Sequence, residues 1–176
     1  SDLEDGSIYH LGLLPQDVAD TIIFVGDQHR VPKVSKHFDS IEFKKEVREF
    51  VTHTGSLNGK RISVISTGIG CDNIDIVMNE LDALVNIDFE TRTEKEEKTS
   101  LTIVSIGTSG SLQESVPVDS FLISTHGLGI DGLLNYYDFK AQDEDLLNEI
   151  VKHTNWPNNV PQLYLGKADK ELVSIA

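Results

Sequence analysis

Three apolar, β-branched segments that each end in a glycine-rich turn constrain this chain more than any other feature of its sequence. Continuous runs of this kind predict strands buried on both faces, as in a parallel sheet covered by helices. The carboxyl ends of such strands meet at one edge, where glycines let backbone N–H groups approach an anion. The sequence therefore predicts one ligand site built from three turns. These turns are residues 26–30, 67–70 and 107–110.

Helical patterns separate the predicted strands. Apolar residues at helical spacing predict a short helix at residues 31–38 and another at 143–153. A longer helix follows the second turn, and Asp72 is its expected N-cap. Strands that alternate with helices along the chain predict an α/β domain.

The connecting segments complete this prediction. Asn58-Gly59 predicts a β-hairpin because both residues tolerate positive φ. Residues 120–125 predict a further strand, and the charged segment 88–100 predicts a solvated loop. The length of 176 residues fits a single domain over residues 1–176. An apolar end soon after the strand-like segment 163–166 predicts that this domain is incomplete at its C-terminal end.

Charge and cysteine content exclude several classes of function. Asp and Glu number 29 against 15 Lys and Arg, and the net charge of -14 disfavours nucleic-acid and acidic-membrane partners. The single cysteine, Cys71, excludes a disulfide framework, and no histidines stand at zinc-ligand spacing. No apolar run approaches the roughly 20 residues that span a bilayer. We therefore expect a cytoplasmic protein with no membrane or nucleic-acid partner.

Three side chains are further candidates for chemistry. Arg30 follows the first turn, where a guanidinium would hold a phosphate in bidentate fashion; the alternative is a surface arginine at a helix start. Arg48 stands among other charged residues, and its spacing alone indicates a solvated charge. His10, taken alone, is more often a hydrogen-bonded structural residue than a catalyst. The fingerprints of nucleoside triphosphate and dinucleotide binding are absent.

As a set, these motifs resemble the nucleoside phosphorylase-I family, and within it the uridine phosphorylase branch. The resemblance covers nearly the whole chain. It implies a three-layer α/β fold with a mixed central sheet flanked by helices. It rests, in chain order, on Tyr9-His10-Leu11-Gly12-Leu13, Val25-Gly26-Asp27 with Arg30, Arg48-Glu49-Phe50, Ser66-Thr67-Gly68-Ile69-Gly70 and Ile106-Gly107-Thr108-Ser109-Gly110.

The activity that the resemblance implies is reversible phosphorolysis. Inorganic phosphate attacks the anomeric carbon of a nucleoside, with uridine as the first expectation, and gives free base and ribose 1-phosphate. Phosphate is then a co-substrate, and no redox cofactor is needed. The acid–base residue of the family would lie downstream of Ala176.

Roles for individual residues also follow from the resemblance. Arg48 and His10 would act in the site of a neighbouring subunit, which implies a homodimer or a hexamer built as a trimer of dimers. The implied ligand contacts are Gly26, Arg30, Arg48 and Thr108 for phosphate, His10 and Thr108 for ribose, Ser109 and Gly110 for the base, and Glu49, Ile69 and Asn73 for a monovalent cation such as K+.

The chain departs from the family pattern at three positions. Gln28 stands where the family usually has Pro, and Asn73 is not the usual residue of the cation site. Ser105 stands where the family has a phosphate-binding arginine, and loss of such a guanidinium costs on the order of 1.5–3 kcal/mol. Two alternatives to a phosphorylase therefore stay open: a nucleosidase that uses water, and a nucleoside-binding protein without turnover.

Overall fold

The computed structural model describes residues 5–176 of the chain. These form two compact units, one ending at Ser109 and one running from Gly110 to Ala176. The single domain over residues 1–176 stays a prediction of the sequence. No helix within the described residues combines the length and the apolar character that crossing a membrane requires.

The first unit is built on a mixed five-stranded sheet, which confirms the predicted α/β class. Its elements are β1 (Thr21–Val25), α1 (Val31–Ser35), β2 (Ser40–Val47), β3 (Phe50–Leu57), β4 (Lys60–Ser66), α2 (Cys71–Asn86), β5 (Ile87–Asp88), β6 (Thr93–Glu94) and β7 (Thr102–Ser105). The strand order in the sheet is β2-β3-β4-β1-β7; β4, β1 and β7 are parallel, whereas β2, β3 and β4 are antiparallel. A short antiparallel pair, β5 and β6, follows α2.

Helices cover both faces of this sheet, because alternate residues of β1 point to opposite sides. Ile22 and Phe24 belong to the larger core cluster, which includes the apolar stripe of α2. Val25 belongs to a second cluster with Val31 of α1. This arrangement gives the three layers that the resemblance implies. The α2 residues in the larger cluster are Val77, Leu81 and Leu84.

The hairpin predicted at Asn58-Gly59 joins β3 to β4, and both turn residues have positive φ. One strand of the same sheet, β2, is missing from the sequence-based prediction. Its side chains are exposed or half-buried and largely polar, because β2 is an edge strand. A strand of that kind lacks the apolar run by which the other strands were predicted.

Three local predictions need correction. Helix α2 begins at Cys71 with Gly70 as its N-cap, so Asp72 lies in the first turn and does not cap it. Residues 120–125 form no strand; the strand begins at His126. The run before the third turn forms β7, but its residues are half-buried to exposed because β7 is the other edge of this sheet.

The second unit pairs two short strands and carries two helices. It contains β8 (His126–Gly129), α3 (Glu144–Thr154), β9 (Tyr164–Lys167) and α4 (Lys170–Ile175), with β8 and β9 antiparallel. The Asp143 carboxylate caps α3 by accepting a hydrogen bond from the Leu146 N–H at 3.1 Å. That bond, followed by Lys167, lowers the pKa of Asp143 below its ordinary value. Helix α3 confirms the helix predicted at residues 143–153.

Buried His53 on β3 makes the stability of the first unit sensitive to pH. Its Nδ1 lies 2.7 Å from the Ser35 hydroxyl, and the residue is 9% exposed. Burial, and then the charge of Lys44 across the strand pair, lowers the pKa of His53 below its ordinary value of 6.5. The folded protein therefore favours the neutral imidazole.

We expect the free energy of unfolding to fall as the pH drops below about 6.5. In that range His53 of the unfolded chain binds a proton, whereas buried His53 of the folded protein stays neutral to lower pH. Urea denaturation midpoints between about pH 7.5 and 5.5 measure this slope. His53→Asn should flatten it, since an amide keeps a polar atom near Ser35 without titrating. The same substitution at exposed His37 is the control, and an unchanged slope in His53→Asn would contradict the assignment.

Candidate functional site

The first two glycine-rich turns and the start of the third meet at one edge of the sheet. In the parallel register, Val25 of β1 is opposite Ser66 of β4, and Phe24 is opposite Ser105 of β7. The Thr67 N–H donates to the Val25 carbonyl at 2.9 Å, so the β4 turn is bonded to the β1 end. The three strand ends are therefore adjacent, as the sequence predicts.

The first two turns lie against each other at Gly26. A Cβ on Gly26 would stand 3.7 Å from the Gly68 carbonyl oxygen, an ordinary van der Waals distance, so this contact does not by itself require glycine. On the other side of β1, the Ile106 N–H donates to the Phe24 carbonyl at 2.8 Å, which fixes the start of the third turn. Backbone atoms of the first turn thus lie next to the second turn without an intervening side chain.

Arg30 is the last residue of the turn that follows β1. Residues Gln28–Arg30 form one turn of 3-10 helix, whose first residue is the Gln that departs from the family pattern. The Asp27 carboxylate accepts a hydrogen bond from the His29 N–H at 2.9 Å, and the Asp27 carbonyl accepts one from the Arg30 N–H at 3.0 Å. These two bonds fix the backbone that carries the half-buried Arg30 side chain.

Ser66 ties the β2–β3 connection to the same edge. Its hydroxyl donates to the Glu49 carbonyl at 2.6 Å and accepts from the Val51 N–H at 2.7 Å. Arg48, the exposed residue before Glu49, has a left-handed φ of 55°. The structure thus places Arg48 and Glu49 beside the end of β4, and Ser66 is a positioning residue that sequence reasoning missed.

His10 is held by a carboxylate on α2. The Glu80 side chain accepts hydrogen bonds from the N–H groups of His10 at 3.0 Å and Leu11 at 2.9 Å. Its Oε1 also lies 2.6 Å from His10 Nδ1. The Phe50 ring makes an edge contact with the imidazole, with ring centroids 6.4 Å apart. None of these contacts involves His10 Nε2.

Glu80 is the clearest site residue that the sequence does not reveal. It stands 70 positions from His10, and a glutamate on a helix surface ordinarily signals solvation. No pattern in the sequence identifies the pair, because only the fold brings this histidine and this carboxylate together. A carboxylate on Nδ1 fixes the ring orientation and the tautomer.

The remaining predicted residues lie at the boundary of the two units or at the start of α2. Thr108 and Ser109 follow β7 and are exposed at the end of the first unit, and Gly110 is the first residue of the second. Ile69 is 94% exposed beside the second turn. The Asn73 amide nitrogen donates to Glu49 Oε1 at 3.3 Å. The contacts above do not assign a ligand to any of these residues, so their roles stay predictions.

The fold and this edge define a class of protein: a three-layer α/β protein in which parallel strands bring glycine-rich turns together beside two arginines. A family model described as the phosphorylase superfamily matches residues 20–176. The chain therefore belongs to the phosphorylase superfamily.

Individual relatives agree with this membership. A uridine phosphorylase of Thermococcus kodakarensis is 32% identical over 134 residues, which are 76% of this chain and 43% of that protein. A DeoD-type purine nucleoside phosphorylase of Hahella chejuensis is 32% identical over 149 residues, 81% of this chain and 57% of that protein. The chain spans about half the length of the curated relatives it matches.

A solved structure shows the same fold. It is a nucleoside phosphorylase of Trypanosoma brucei described as showing uridine phosphorylase activity, and it is 31% identical to this chain. It superposes with a TM-score of 0.88 over 99% of this chain and 59% of that one. The mixed sheet flanked by helices is therefore the phosphorylase-like fold.

Proposed function

We propose that the protein catalyses phosphorolysis of a nucleoside, with uridine as the preferred candidate, to free base and ribose 1-phosphate. The observation that carries this proposal is the meeting of the strand-end turns beside Arg30, in a chain whose relatives are named uridine and purine nucleoside phosphorylases. Phosphate is the co-substrate, and no prosthetic group takes part.

The proposed reaction exchanges one bond at the anomeric carbon for another. The bond from that carbon to the base nitrogen breaks, and its electron pair leaves with the base. The base takes up a proton equivalent to the one that hydrogen phosphate gives up on becoming the phosphate ester. A phosphate oxygen forms the new bond to carbon. Backbone N–H groups at Gly26, the Arg30 guanidinium and the Thr108 hydroxyl hold the phosphate, whose negative charge stabilises the positively charged sugar in the transition state.

The sugar and base contacts extend this proposal. His10 and Thr108 contact the ribose, and Ser109 and Gly110 line the base pocket. Arg48 and His10 serve the site of a neighbouring subunit, so the minimal active unit is a homodimer, alone or within a hexamer. The protein works in the cytoplasm, where nucleosides and phosphate are both present.

One observation favours a second candidate, a hydrolytic nucleosidase. Ser105 is exposed at the end of β7, where the family pattern has a phosphate-binding arginine. A hydroxyl there removes one positive charge from the phosphate site, and a site that holds phosphate weakly gives water the opportunity to attack. Arg30 and Arg48 favour phosphate over water.

Uridine cleavage by the product of the full open reading frame, followed by absorbance with and without phosphate, separates these candidates. Inosine is assayed in parallel to test the base. Phosphate-dependent cleavage supports the phosphorylase, and phosphate-independent cleavage supports the nucleosidase. Binding of uridine without any cleavage would overturn both in favour of a binding protein.

Removal of the Glu80 carboxylate should weaken the reaction through His10. In Glu80→Ala the His10 and Leu11 N–H groups lose their acceptor, and the imidazole is no longer fixed. A reacting group displaced by about 1 Å costs on the order of 10²-fold in rate. We expect that loss in kcat/KM for uridine, measured by initial rates.

The conservative variant distinguishes positioning from a general loss of stability. Glu80→Gln keeps the acceptor of both backbone N–H groups when its oxygen takes the place of Oε2, but its NH₂ then faces His10 Nδ1 and changes the tautomer, so it should recover only part of the activity. Its KM for phosphate should stay unchanged, because Glu80 contacts the ribose-binding histidine and not the phosphate turns. Equal loss in the Ala and Gln variants would contradict the positioning role.

A further inference from the structure

A carboxylate and an amide meet at the second glycine-rich turn. Asn73 Nδ2, in the first turn of α2, donates a hydrogen bond to Glu49 Oε1 at 3.3 Å, and both residues are half-buried. Gly68 lies directly against this pair. A Cβ on Gly68 would stand 2.3 Å from Asn73 Nδ2 and 3.0 Å from Glu49 Cγ. The contact is therefore closely packed and has no room for an additional atom at Gly68.

The residues present do not fit the monovalent cation that the family resemblance implies at Glu49, Ile69 and Asn73. Hard cations take oxygen ligands, whereas the amide NH₂ has two hydrogen-bond donors and no lone pair to offer. That NH₂ end faces the carboxylate. Glu49 thus receives partial positive charge from Asn73, which is the electrostatic contribution that a cation would make.

We propose that the Asn73 carboxamide replaces the monovalent cation in this protein, so that the Glu49 region is held without K+. The proposal concerns the structure of the turn and does not depend on the proposed catalytic activity. A reversed amide would bring Asn73 Oδ1 towards Glu49 Oε1, and two acceptors at that distance repel unless a cation lies between them. The response of the folded protein to K+ therefore distinguishes the two orientations.

The thermal unfolding midpoint of the full-length protein measures that response. Wild type is compared in KCl and in tetramethylammonium chloride at equal ionic strength, since the organic cation is too large for the site. We expect equal midpoints. In Asn73→Ser a hydroxyl oxygen faces Glu49, and K+ should raise the midpoint by about 2–4 °C, the shift of a site filled a few-fold above its dissociation constant.

Asn79→Ser is the matched control. The Asn79 amide also donates to a carboxylate, Asp75 Oδ1 at 3.0 Å, on the exposed face of the same helix. This variant should respond equally to both salts. Adding Glu49→Gln to Asn73→Ser should abolish the gain from K+, because the carboxylate is the charged ligand.

Two results would overturn the proposal. The first is a higher midpoint of wild type in K+, which means that the amide turns its oxygen to a bound cation. The second is a folded Asn73→Ser variant that is insensitive to K+. Direct titration of wild type with Tl+, followed by ²⁰⁵Tl NMR, tests binding independently of any variant: no site-specific broadening is expected, and saturable broadening contradicts the proposal. Each readout is obtained whether or not nucleosides are cleaved.

Discussion

Arg30→Ala is expected to lower kcat/KM for phosphate by about 10²–10³-fold, the loss typical of removing one preorganised donor from developing charge. The guanidinium follows the β1 end, and the hydrogen bonds of Asp27 fix its backbone. Because the chain carries a net charge of -14, attraction of a dianion depends on cations close to the site. Initial rates at varied phosphate and saturating uridine measure the effect.

Two further variants distinguish the bidentate geometry of the Arg30 guanidinium from its positive charge. Arg30→Lys keeps the charge but lacks the bidentate fork, so an intermediate loss is expected. Lys33→Ala removes one exposed positive charge from α1 and should leave kcat/KM for phosphate nearly unchanged. An equal effect of Arg30→Ala and Lys33→Ala would show that only net charge matters, against a phosphate contact by Arg30.

Gly55→Ala is expected to destabilise the folded protein by about 2–3 kcal/mol, towards the upper part of the range for overpacked sites. Gly55 lies in β3 opposite β2, and a Cβ there would stand 2.1 Å from the Ser40 carbonyl oxygen and 3.1 Å from Ile41 Cα. Backbone atoms cannot rotate away as a side chain does, so β2 must separate from β3. Thermal denaturation should show a midpoint lower by about 4–12 °C.

A strand glycine in open space provides the matched control. Gly166 of β9 has no atom within 4 Å of the position its Cβ would take. Gly166→Ala should therefore leave the midpoint unchanged or raise it slightly, because alanine restricts the unfolded chain. If both variants melt alike, crowding against β2 is not the reason that position 55 carries glycine.

The sequence predicts the sheet edge where the glycine-rich turns meet better than it predicts the rest of the fold. Apolar runs before glycine turns identify β1 and β4 because buried parallel strands need no alternation, and their carboxyl ends must meet. The same criterion fails at residues 120–125, where an apolar segment forms no strand. It also misses β2, whose polar residues suit an edge strand and resemble a loop in the sequence.

The contacts that position the site are the least visible part in the sequence. The bond between Glu80 and His10 spans 70 residues, and that between Ser66 and Glu49 spans 17. Neither pair has a local pattern, because helix and strand periodicity encode burial and not partners. The turn at Gly26 is different, because its position is set by the strand directly before it, so a short segment suffices to predict where it lies.

At Arg48 the left-handed backbone lowers stability, whereas the proposed function requires the arginine side chain. A φ of 55° destabilises the folded state by about 1–2 kcal/mol for a residue with a Cβ, and by almost nothing for glycine. A chain selected only for thermal resistance would accordingly replace Arg48 with glycine and become more stable. It would also lose the exposed guanidinium of the β2–β3 turn beside Glu49, which the proposed function assigns to phosphate binding. Under that proposal, laboratory evolution for heat tolerance alone yields a protein that is more stable and less active.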